Sequence, residues 1–308
     1  MQVRTFSRKF DQLSDNLKGA VFILIAGLFF TVMMLLVKLL GARLSVFQIL
    51  LVRQLIMLTI IAPVIARGFP GALKTRTPGL QVLRIVFALL AMLLGFTAVI
   101  HIPLADATAI GFAKAFFVTI FAMVILSEPV GIRRWGAVAA GFVGVIIMLR
   151  PGTEGVSVHG LMALAGAACA GMVMVLIRLM SRTESTAAIL SWQASGVGLL
   201  MIVPAFVTWQ WPTAQEWLLL GVLGVVSYLG QLFNIFGYAR GEASVMASLD
   251  YVRLVQAAGL GLLIFGQVPD LSTWLGALVI IGASLYTIQR ERRKKQVLVR
   301  TPEGRGFS

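Results

Sequence analysis

Charged residues are scarce in this sequence of 308 residues, and cysteine and histidine are scarcer still. Only 12% of the residues are charged, about half of the share in a typical soluble protein, whereas 59% are hydrophobic. The single cysteine, Cys169, excludes a disulfide framework and a thiolate metal cluster, and the two histidines, His101 and His159, argue against a histidine-based metal site. We therefore expect no metal ion and no cofactor.

The hydrophobic residues occur in blocks of about 20 residues, the length that a helix needs to cross the hydrocarbon core of a bilayer. The sequence therefore predicts an all-α polytopic membrane protein rather than a soluble domain. Charged residues, prolines and glycine-containing breaks divide the blocks into ten transmembrane spans, near residues 18–39, 46–66, 79–100, 103–126, 133–149, 158–180, 187–207, 215–237, 243–265 and 272–289. Because the connections are short, consecutive spans are expected to be antiparallel neighbours.

The distribution of lysine and arginine predicts which way the spans face. One set of span ends carries 18 of the 26 basic residues, whereas the opposite ends carry only Arg43 and Arg150. By the positive-inside rule, both chain termini are expected to be cytoplasmic. Residues 1–17 are then a cytoplasmic N-terminal segment that is not cleaved, and residues 291–308 form a basic cytoplasmic tail. We expect this tail to contact anionic lipid headgroups rather than nucleic acid.

An internal repeat relates the two halves of the chain. A shift of 139 residues aligns the halves and pairs Lys114 with Arg253, Trp135 with Trp274, Phe112 with Tyr251 and Gln54 with Gln193, and a slip of one residue pairs Lys38 with Arg178. Each half contains five spans, and because five is odd, the second half crosses the membrane in the opposite sense. The sequence therefore predicts inverted repeats at 18–150 and 157–290, an arrangement that transporters use to bind a substrate near the middle of the bilayer.

Two stretches at equivalent places in the repeats resemble a known family. They are PLADATAIGFAKAFFVTIFAMVILSEPVGIRRWGAVAAGFVGVIIMLRPG at 103–152 and YVRLVQAAGLGLLIFGQVPDLSTWLGALVIIGASLYTIQRE at 251–291. Both resemble the EamA domains of the drug/metabolite transporter superfamily, apart from Gln267, where the second repeat of that family usually has glutamate. The resemblance implies a multi-pass transporter of the bacterial inner membrane, in which spans four and nine line a central cavity and spans five and ten lie at the periphery.

Two basic residues near the middle of spans four and nine, Lys114 and Arg253, are the first candidates for a substrate site. A charge at the centre of a bilayer costs about 2.5–3.5 kcal/mol on insertion scales, so it requires compensation. Asp250 lies one turn before Arg253 and forms with it either a structural ion pair or part of the site. Lys114 lies far from any acidic residue of its own span, so it either bonds helix-end carbonyls or Asp250, or lines the cavity and attracts the substrate.

Polar and aromatic residues in otherwise apolar spans are the other candidates. They either line the same cavity or only bond one helix to another. Arg84 is expected to extend along span three towards the cytoplasmic headgroups, and His101 to lie at the surface. Gly136, Ala140 and Gly144 recur every four residues in span five and form a flat strip, either for internal packing or for a homodimer interface. The polar and aromatic candidates are Gln54, Gln193, Trp192, Asn234, Tyr251 and Phe117.

The residues within the spans also indicate the class of function. The sequence has no P-loop motif for ATP, and the spans hold none of the paired carboxylates, serine–histidine couples or histidine clusters on which an intramembrane enzyme depends. We therefore predict a secondary transporter of a small organic molecule, not an enzyme.

The family resemblance narrows the substrate. FAKAFFVT at 112–119 and the residues that follow are most similar to a group that includes riboflavin uptake proteins and S-adenosylmethionine carriers. Aromatic residues beside a cationic cavity would suit a flat heterocycle, so riboflavin uptake is the narrowest prediction. The alternatives are an S-adenosylmethionine carrier and an exporter of amino acids or related metabolites, with the substrate carboxylate on Lys114.

Overall fold

The described part of the chain is helical, as predicted. The computed structural model describes residues 15–68, 74–126, 136, 139–140, 143–144, 146–147, 157–180, 183–240, 252–279 and 281–282, and within these ranges every regular element is a helix. The helices are α1 (Asp15–Leu40), α2 (Val46–Gly68), α3 (Pro78–His101), α4 (Leu104–Gly111), α5 (Lys114–Leu126), α6 (Val158–Met180), α7 (Thr186–Val207), α8 (Ala214–Arg240) and α9 (Val252–Phe265). Residues 271–279 are also helical.

Six of these helices, α1, α2, α3, α6, α7 and α8, are long and apolar enough to cross a bilayer. Their apolar stretches of 18 to 24 residues match the ~30 Å of hydrocarbon that a helix must cross. They coincide with predicted spans one, two, three, six, seven and eight. Large apolar side chains such as Leu199, Val203 and Phe206 are exposed along α7, as expected of a surface that faces lipid. The chain is therefore a multi-pass membrane protein.

Predicted span four is two helices rather than one. α4 ends at Gly111, Phe112 and Ala113 form a turn, and α5 begins at Lys114. The backbone N–H groups of Phe112 and Ala113 donate to Ala109 O and Ile110 O at 3.1 and 2.9 Å, so each bond spans three residues instead of four. The break places Lys114 in the first turn of a helix instead of in the middle of one.

The remaining predicted spans are described only in part. Span nine contains α9, which has 14 residues, and span ten contains the helical residues 271–279. Most of span five and the basic tail lie outside the described residues. Two predicted site residues, Asp250 and Tyr251, also lie outside them.

The helix packing has the two-fold relation expected of inverted repeats. The most extensive contacts are those of α1 with α8 and of α3 with α6. The repeat relation converts one of these pairs into the other, because α1 corresponds to α6 and α3 to α8. In the same way, the α2–α8 contact corresponds to the α7–α3 contact, and the α2–α7 contact corresponds to itself.

The direction of the helices agrees with this relation. Lys38, in the last turn of α1, donates to Val99 O at 3.0 Å, so α1 ends beside the end of α3. At that same end of the bundle, the ring of His159 in the first turn of α6 stacks on the ring of His101, with 4.1 Å between the ring centres. The first helix of one half therefore ends where the first helix of the other half begins. The prediction of inverted repeats is confirmed.

Turns at one end of the bundle join the two halves. At this end, which we call the Arg43 end, Arg43 Nε donates to Glu216 Oε1 at 2.7 Å, and Ser45 Oγ lies 2.8 Å from Thr208 Oγ1. These bonds connect the α1–α2 turn to the α7–α8 turn. Under the repeat relation, the equivalent contact joins the α6–α7 turn to the α2–α3 connection at the opposite end.

A single carboxylate, that of Glu184, makes this equivalent contact at what we call the Glu184 end. Its Oε1 accepts from Thr75 Oγ1 at 2.7 Å, from the Arg76 backbone N–H at 2.6 Å, and from the backbone N–H and Oγ1 of Thr77 at 3.1 and 3.0 Å. Thr77 is the N-cap of α3, so the negative charge also lies at the positive end of the helix dipole. Burial raises the pKa of Glu184, but these hydrogen bonds outweigh it, and the pKa lies below its ordinary value of 4.5.

Replacing Glu184 with glutamine is expected to lower the thermal stability of the purified protein at neutral pH. Because the pKa is depressed in the folded state, the stabilisation by the wild-type carboxylate is complete above the unfolded pKa of about 4.5 and is lost as the pH falls through the folded pKa. The melting temperatures of the two proteins in detergent should therefore differ most near neutrality and converge in acid. Equal melting temperatures at neutral pH would contradict this role for Glu184.

Candidate functional site

The two predicted cations, Lys114 and Arg253, lie where predicted spans four and nine meet. Lys114 is the first residue of α5 and Arg253 the second residue of α9, and both side chains are half-buried. One buried apolar cluster contains Phe112 and Phe116 from span four together with Leu254 from span nine. The cluster therefore contains residues close in sequence to each cation, and spans four and nine pack together through α4 and α9.

The Arg253 side chain packs against α1. Its guanidinium carbon lies 5.2 Å from the centre of the Phe30 ring, within the range of a cation–π interaction. One turn away on α9, Gln256 Oε1 accepts a hydrogen bond from Thr31 Oγ1 at 3.3 Å. A Cβ atom at Gly27 would lie 2.9 Å from Arg253 Cγ, so α1 requires glycine there to admit the arginine stem. These contacts hold the guanidinium over an aromatic ring.

The backbone around Lys114 packs against α6. A Cβ atom at Gly171 would lie 2.9 Å from Phe117 Cβ and 3.2 Å from Lys114 O, so the absence of a side chain at Gly171 allows α6 to approach α5 closely. Phe117 is half-buried and stacks on Phe121 with 6.2 Å between the ring centres. The predicted site residues Lys114 and Phe117 therefore lie on the side of α5 that packs against α6.

Aromatic rings line the interface of α1 with α8. Phe29 stacks on Phe233 with 5.7 Å between the ring centres, and Phe22 contacts both Phe233 and Phe236 at 5.9 Å. The predicted site residue Asn234 follows Phe233 and is half-buried. Aromatic faces of this kind can stack on a planar ring.

The predicted site residue Gln193 is bound by an arginine that the sequence placed elsewhere. Arg84 was expected to extend to the headgroups, but its side chain is only 3% exposed. Its two terminal nitrogens donate to Ile189 O at 3.0 Å and to Gln193 Oε1 at 2.6 Å, both on α7. The expectation is wrong because α7 covers this face of α3, and the guanidinium finds acceptors there without reaching the surface.

The repeat-related Gln54 is also bound by a buried arginine. Arg53, again 3% exposed, donates from Nη1 to Gln54 Oε1 at 3.1 Å and from Nε to Ser227 Oγ on α8 at 2.8 Å. Within the described ranges, neither Arg53 nor Arg84 forms a salt bridge with a carboxylate. The sequence pattern indicates the two glutamines but not their arginine partners. The only sign of those partners in the sequence is that predicted spans two and three each contain a basic residue.

Each of these two interfaces also contains an isoleucine packed on a glycine. A Cβ atom at Gly196 of α7 would lie 2.5 Å from Ile85 Cδ1 of α3, and a Cβ atom at Gly224 of α8 would lie 2.5 Å from Ile56 Cγ2 of α2. A shift of 139 residues places Ile85 on Gly224 and places Ile56 on Ser195, the residue before Gly196. The interfaces α2–α8 and α3–α7 are therefore equivalent in position, but the isoleucine and the glycine have exchanged helices.

The structure thus places the described site residues at three locations. Lys114, Arg253 and Phe117 lie at the crossing of spans four and nine. Gln54, Gln193 and Trp192 lie on the packed helices α2 and α7, where Trp192 is half-buried against the largest apolar cluster. Asn234 lies at the third location, on α8 next to Phe233 at the interface with α1.

Lys38, a basic residue within span one, has a structural role. Its Nζ donates to Val99 O and Ile102 O at the end of α3 and lies 5.5 Å from the centre of the Phe265 ring. The carbonyls at a helix end have no partner within the helix, so a lysine here satisfies them and complements the dipole. Gln267 acts in a similar way at the start of α4, where its Oε1 accepts from the Leu104 backbone N–H at 3.4 Å.

Comparisons with known proteins point to one family of proteins and one fold. The profile of the EamA-like transporter family matches residues 17–150 and again residues 159–289. A riboflavin transporter of Brucella anthropi is 27% identical over 252 residues, which are 78% of this chain and 86% of that protein. An S-adenosylmethionine uptake transporter of Rickettsia prowazekii is 28% identical over 286 residues, 92% of this chain and 96% of that protein.

Two further similarities concern an exporter and a solved structure. A pseudopaline exporter of Pseudomonas aeruginosa is 30% identical over 274 residues, 88% of this chain and 96% of that protein. A crystal structure with 18% sequence identity superimposes with a TM-score of 0.64 and covers 90% of this chain and 99% of that chain. At this identity the crystal structure shows a shared fold.

Proposed function

Because this chain belongs to the EamA-like transporter family, we propose that it is a secondary transporter that moves a small organic metabolite across the bacterial inner membrane by alternating access. The observation that supports this mechanism is the pair of equivalent interfaces, α2–α8 and α3–α7. In inverted-repeat transporters, equivalent parts of the two halves open and close in turn and expose a midplane site first to one side and then to the other.

Both termini are proposed to be cytoplasmic, which makes the Glu184 end the cytoplasmic end. Arg67, Lys74 and Arg76 lie at that end and are exposed. At the Arg43 end, the charge of Arg43 is matched by Glu216. An excess of unmatched basic residues on the cytoplasmic side is what the positive-inside rule requires.

Riboflavin is the substrate that we favour. Its flat ring system suits the aromatic faces of Phe29, Phe30 and Phe233, and the hydroxyl oxygens of its ribityl chain can accept hydrogen bonds from Lys114 and Arg253. Relatives named riboflavin transporter match most of this chain at 27% and 28% identity. Transport by such a protein requires no ATP site, so a gradient of protons or of the substrate itself would supply the energy.

Export of an amino acid or a related metabolite is the second candidate function. A relative named pseudopaline exporter is 30% identical over most of both chains. In this case Lys114 would bind a carboxylate of the substrate, because a lysine at mid-membrane attracts an anionic group. Carriage of S-adenosylmethionine is the third candidate, supported by relatives of that name at 28% identity.

Expression of this protein in a bacterial riboflavin auxotroph is expected to permit growth at low external riboflavin. Proteoliposomes that contain the purified protein should then take up labelled riboflavin with saturation, and protein-free liposomes should not. Uptake of S-adenosylmethionine without uptake of riboflavin would identify the protein as an S-adenosylmethionine carrier instead. Resistance of the host to toxic amino-acid analogues would support export of amino acids.

A further inference from the structure

The interface between α3 and α7 contains buried polar atoms without partners. Gln81, in the first turns of α3, is 0% exposed, and neither its Nε2 nor its Oε1 has a hydrogen-bond partner in the described part of the chain. Arg84, three residues later, uses its terminal nitrogens on α7, but its buried Nε lacks a partner in the same ranges. A buried amide or guanidinium N–H that makes no hydrogen bond destabilises the fold, so each such group requires an explanation, such as a bound water, a ligand or another conformation that satisfies it.

These groups form a line that leads inward from the Glu184 end. Thr77 lies at the surface and donates to Glu184, Gln81 follows one turn later, and Arg84 lies about 10 Å from Thr77 along the helix axis. The line faces α7, since Arg84 contacts Gln193 and the adjacent Ile85 packs on Gly196. Separation of α3 from α7 would therefore open this line to the Glu184 side.

The unused hydrogen-bonding atoms specify the chemistry of a partner. The Gln81 amide can donate one hydrogen bond and accept another side by side, and Arg84 Nε can only donate. A group that presents a carbonyl, an N–H and a second carbonyl in one plane satisfies all three atoms. This is the arrangement of a cyclic imide, such as the pyrimidinedione edge of a flavin.

We infer that Gln81 and Arg84 form a subsite that recognises the imide edge of a heterocyclic substrate when α3 and α7 separate at the Glu184 end. The inference rests on the proposed function and adds to it the atoms that select the ring. Gln81 contributes one donor and one acceptor, and Arg84 contributes a second donor. Gln193 and Ile189 O position the Arg84 guanidinium but leave its Nε available.

Gln81→Met is the variant that tests this subsite. Methionine has nearly the length of glutamine but no amide that needs hydrogen-bond partners. The melting temperature of the variant should therefore equal or exceed that of the wild-type protein. Ser191→Ala is the matched control. Ser191 is also fully buried on α7 with an Oγ that lacks a partner in the described ranges, but it lies two residues from Gln193 and so faces away from α3.

The transport measurement compares riboflavin with 3-methylriboflavin, in which a methyl group replaces the imide hydrogen. In proteoliposomes, wild type and Ser191→Ala should take up riboflavin with at least ~10-fold higher kcat/KM than the methylated analogue, because a site built to bind an N–H rejects a compound that lacks it. Gln81→Met should reduce this ratio to near one through slower riboflavin uptake.

Two groups of results would overturn the inference in distinguishable ways. An unchanged ratio in Gln81→Met, or a ratio near one in wild type, would remove the subsite and leave riboflavin transport in place. A lower melting temperature for Gln81→Met would show that Gln81 has a structural partner such as a bound water, which also overturns the inference. No riboflavin uptake by wild type would refute the proposed substrate itself and, with it, the imide assignment.

Discussion

Lys114→Ala is expected to reduce riboflavin uptake by roughly 10- to 150-fold, because a hydrogen bond from a charged donor contributes about 1.5–3 kcal/mol. Lys114 begins α5 at the break in span four, so its side chain is positioned by the turn at Phe112 and Ala113 rather than by a continuous helix. Broken helices at mid-membrane are the sites at which transporters bind substrates and ions. Loss of the ammonium group should therefore affect transport more than insertion.

Three control variants separate the charge of Lys114 from its contribution to packing. Lys114→Met retains the length of the side chain and should be as inactive as alanine, whereas Lys114→Arg should retain part of the uptake. Lys74→Ala removes an exposed lysine from the α2–α3 connection and should transport like wild type. The amount of protein in the membrane and its melting temperature are measured for every variant. Normal uptake by Lys114→Ala would exclude Lys114 from the substrate site.

Gly224→Ala is expected to destabilise the fold by about 1–3 kcal/mol, the usual cost of adding a methyl group to a well-packed interface. The new Cβ would lie 2.5, 2.6 and 2.8 Å from Cγ2, Cβ and Cδ1 of Ile56. Because one of these atoms is the branched Cβ itself, a change of rotamer cannot remove the clash. α2 and α8 would have to move apart, and a fall in melting temperature would report it.

The same helix offers a matched control for Gly224. Gly221 lies three residues earlier, and a Cβ atom there would meet nothing within 4 Å. Gly221→Ala should therefore be neutral or stabilising, since alanine is favoured over glycine in a helix by up to about 1 kcal/mol. The double variant Ile56→Ala with Gly224→Ala should recover part of the loss, as expected for residues in direct contact. Equal melting temperatures for the two alanine variants would contradict the close α2–α8 contact.

The transmembrane spans and the inverted repeat could be predicted because both depend on properties that are read along the chain. Blocks of apolar residues have the length of a bilayer, and the alignment of Lys114 with Arg253 relates the halves without any knowledge of their packing. The break after Gly111 could not be predicted in this way. Residues 107–126 contain no proline, asparagine or serine, and a glycine such as Gly111 is common within transmembrane helices, so the sequence does not distinguish a turn here from a continuous helix.

The partners of the arginines were also beyond prediction from sequence. Arg84 lies two turns into a predicted span, a position from which many arginines reach the headgroups. Whether it does so depends on which helix covers that face, and this is a property of the packing of α7 on α3. The amide of Gln193 appeared as a possible ligand contact, whereas the structure shows that it already binds the guanidinium.

The exchange of isoleucine and glycine bears on how such a chain can be assembled from its parts. Two copies of the first half would set Ile56 against Ile85 at both equivalent contacts, where there is room for only one of them. Two copies of the second half would set Gly196 against Gly224 and leave a void. Neither half can therefore form a well-packed symmetric pair with a second copy of itself. In the fused chain, each of the two isoleucines packs against a glycine.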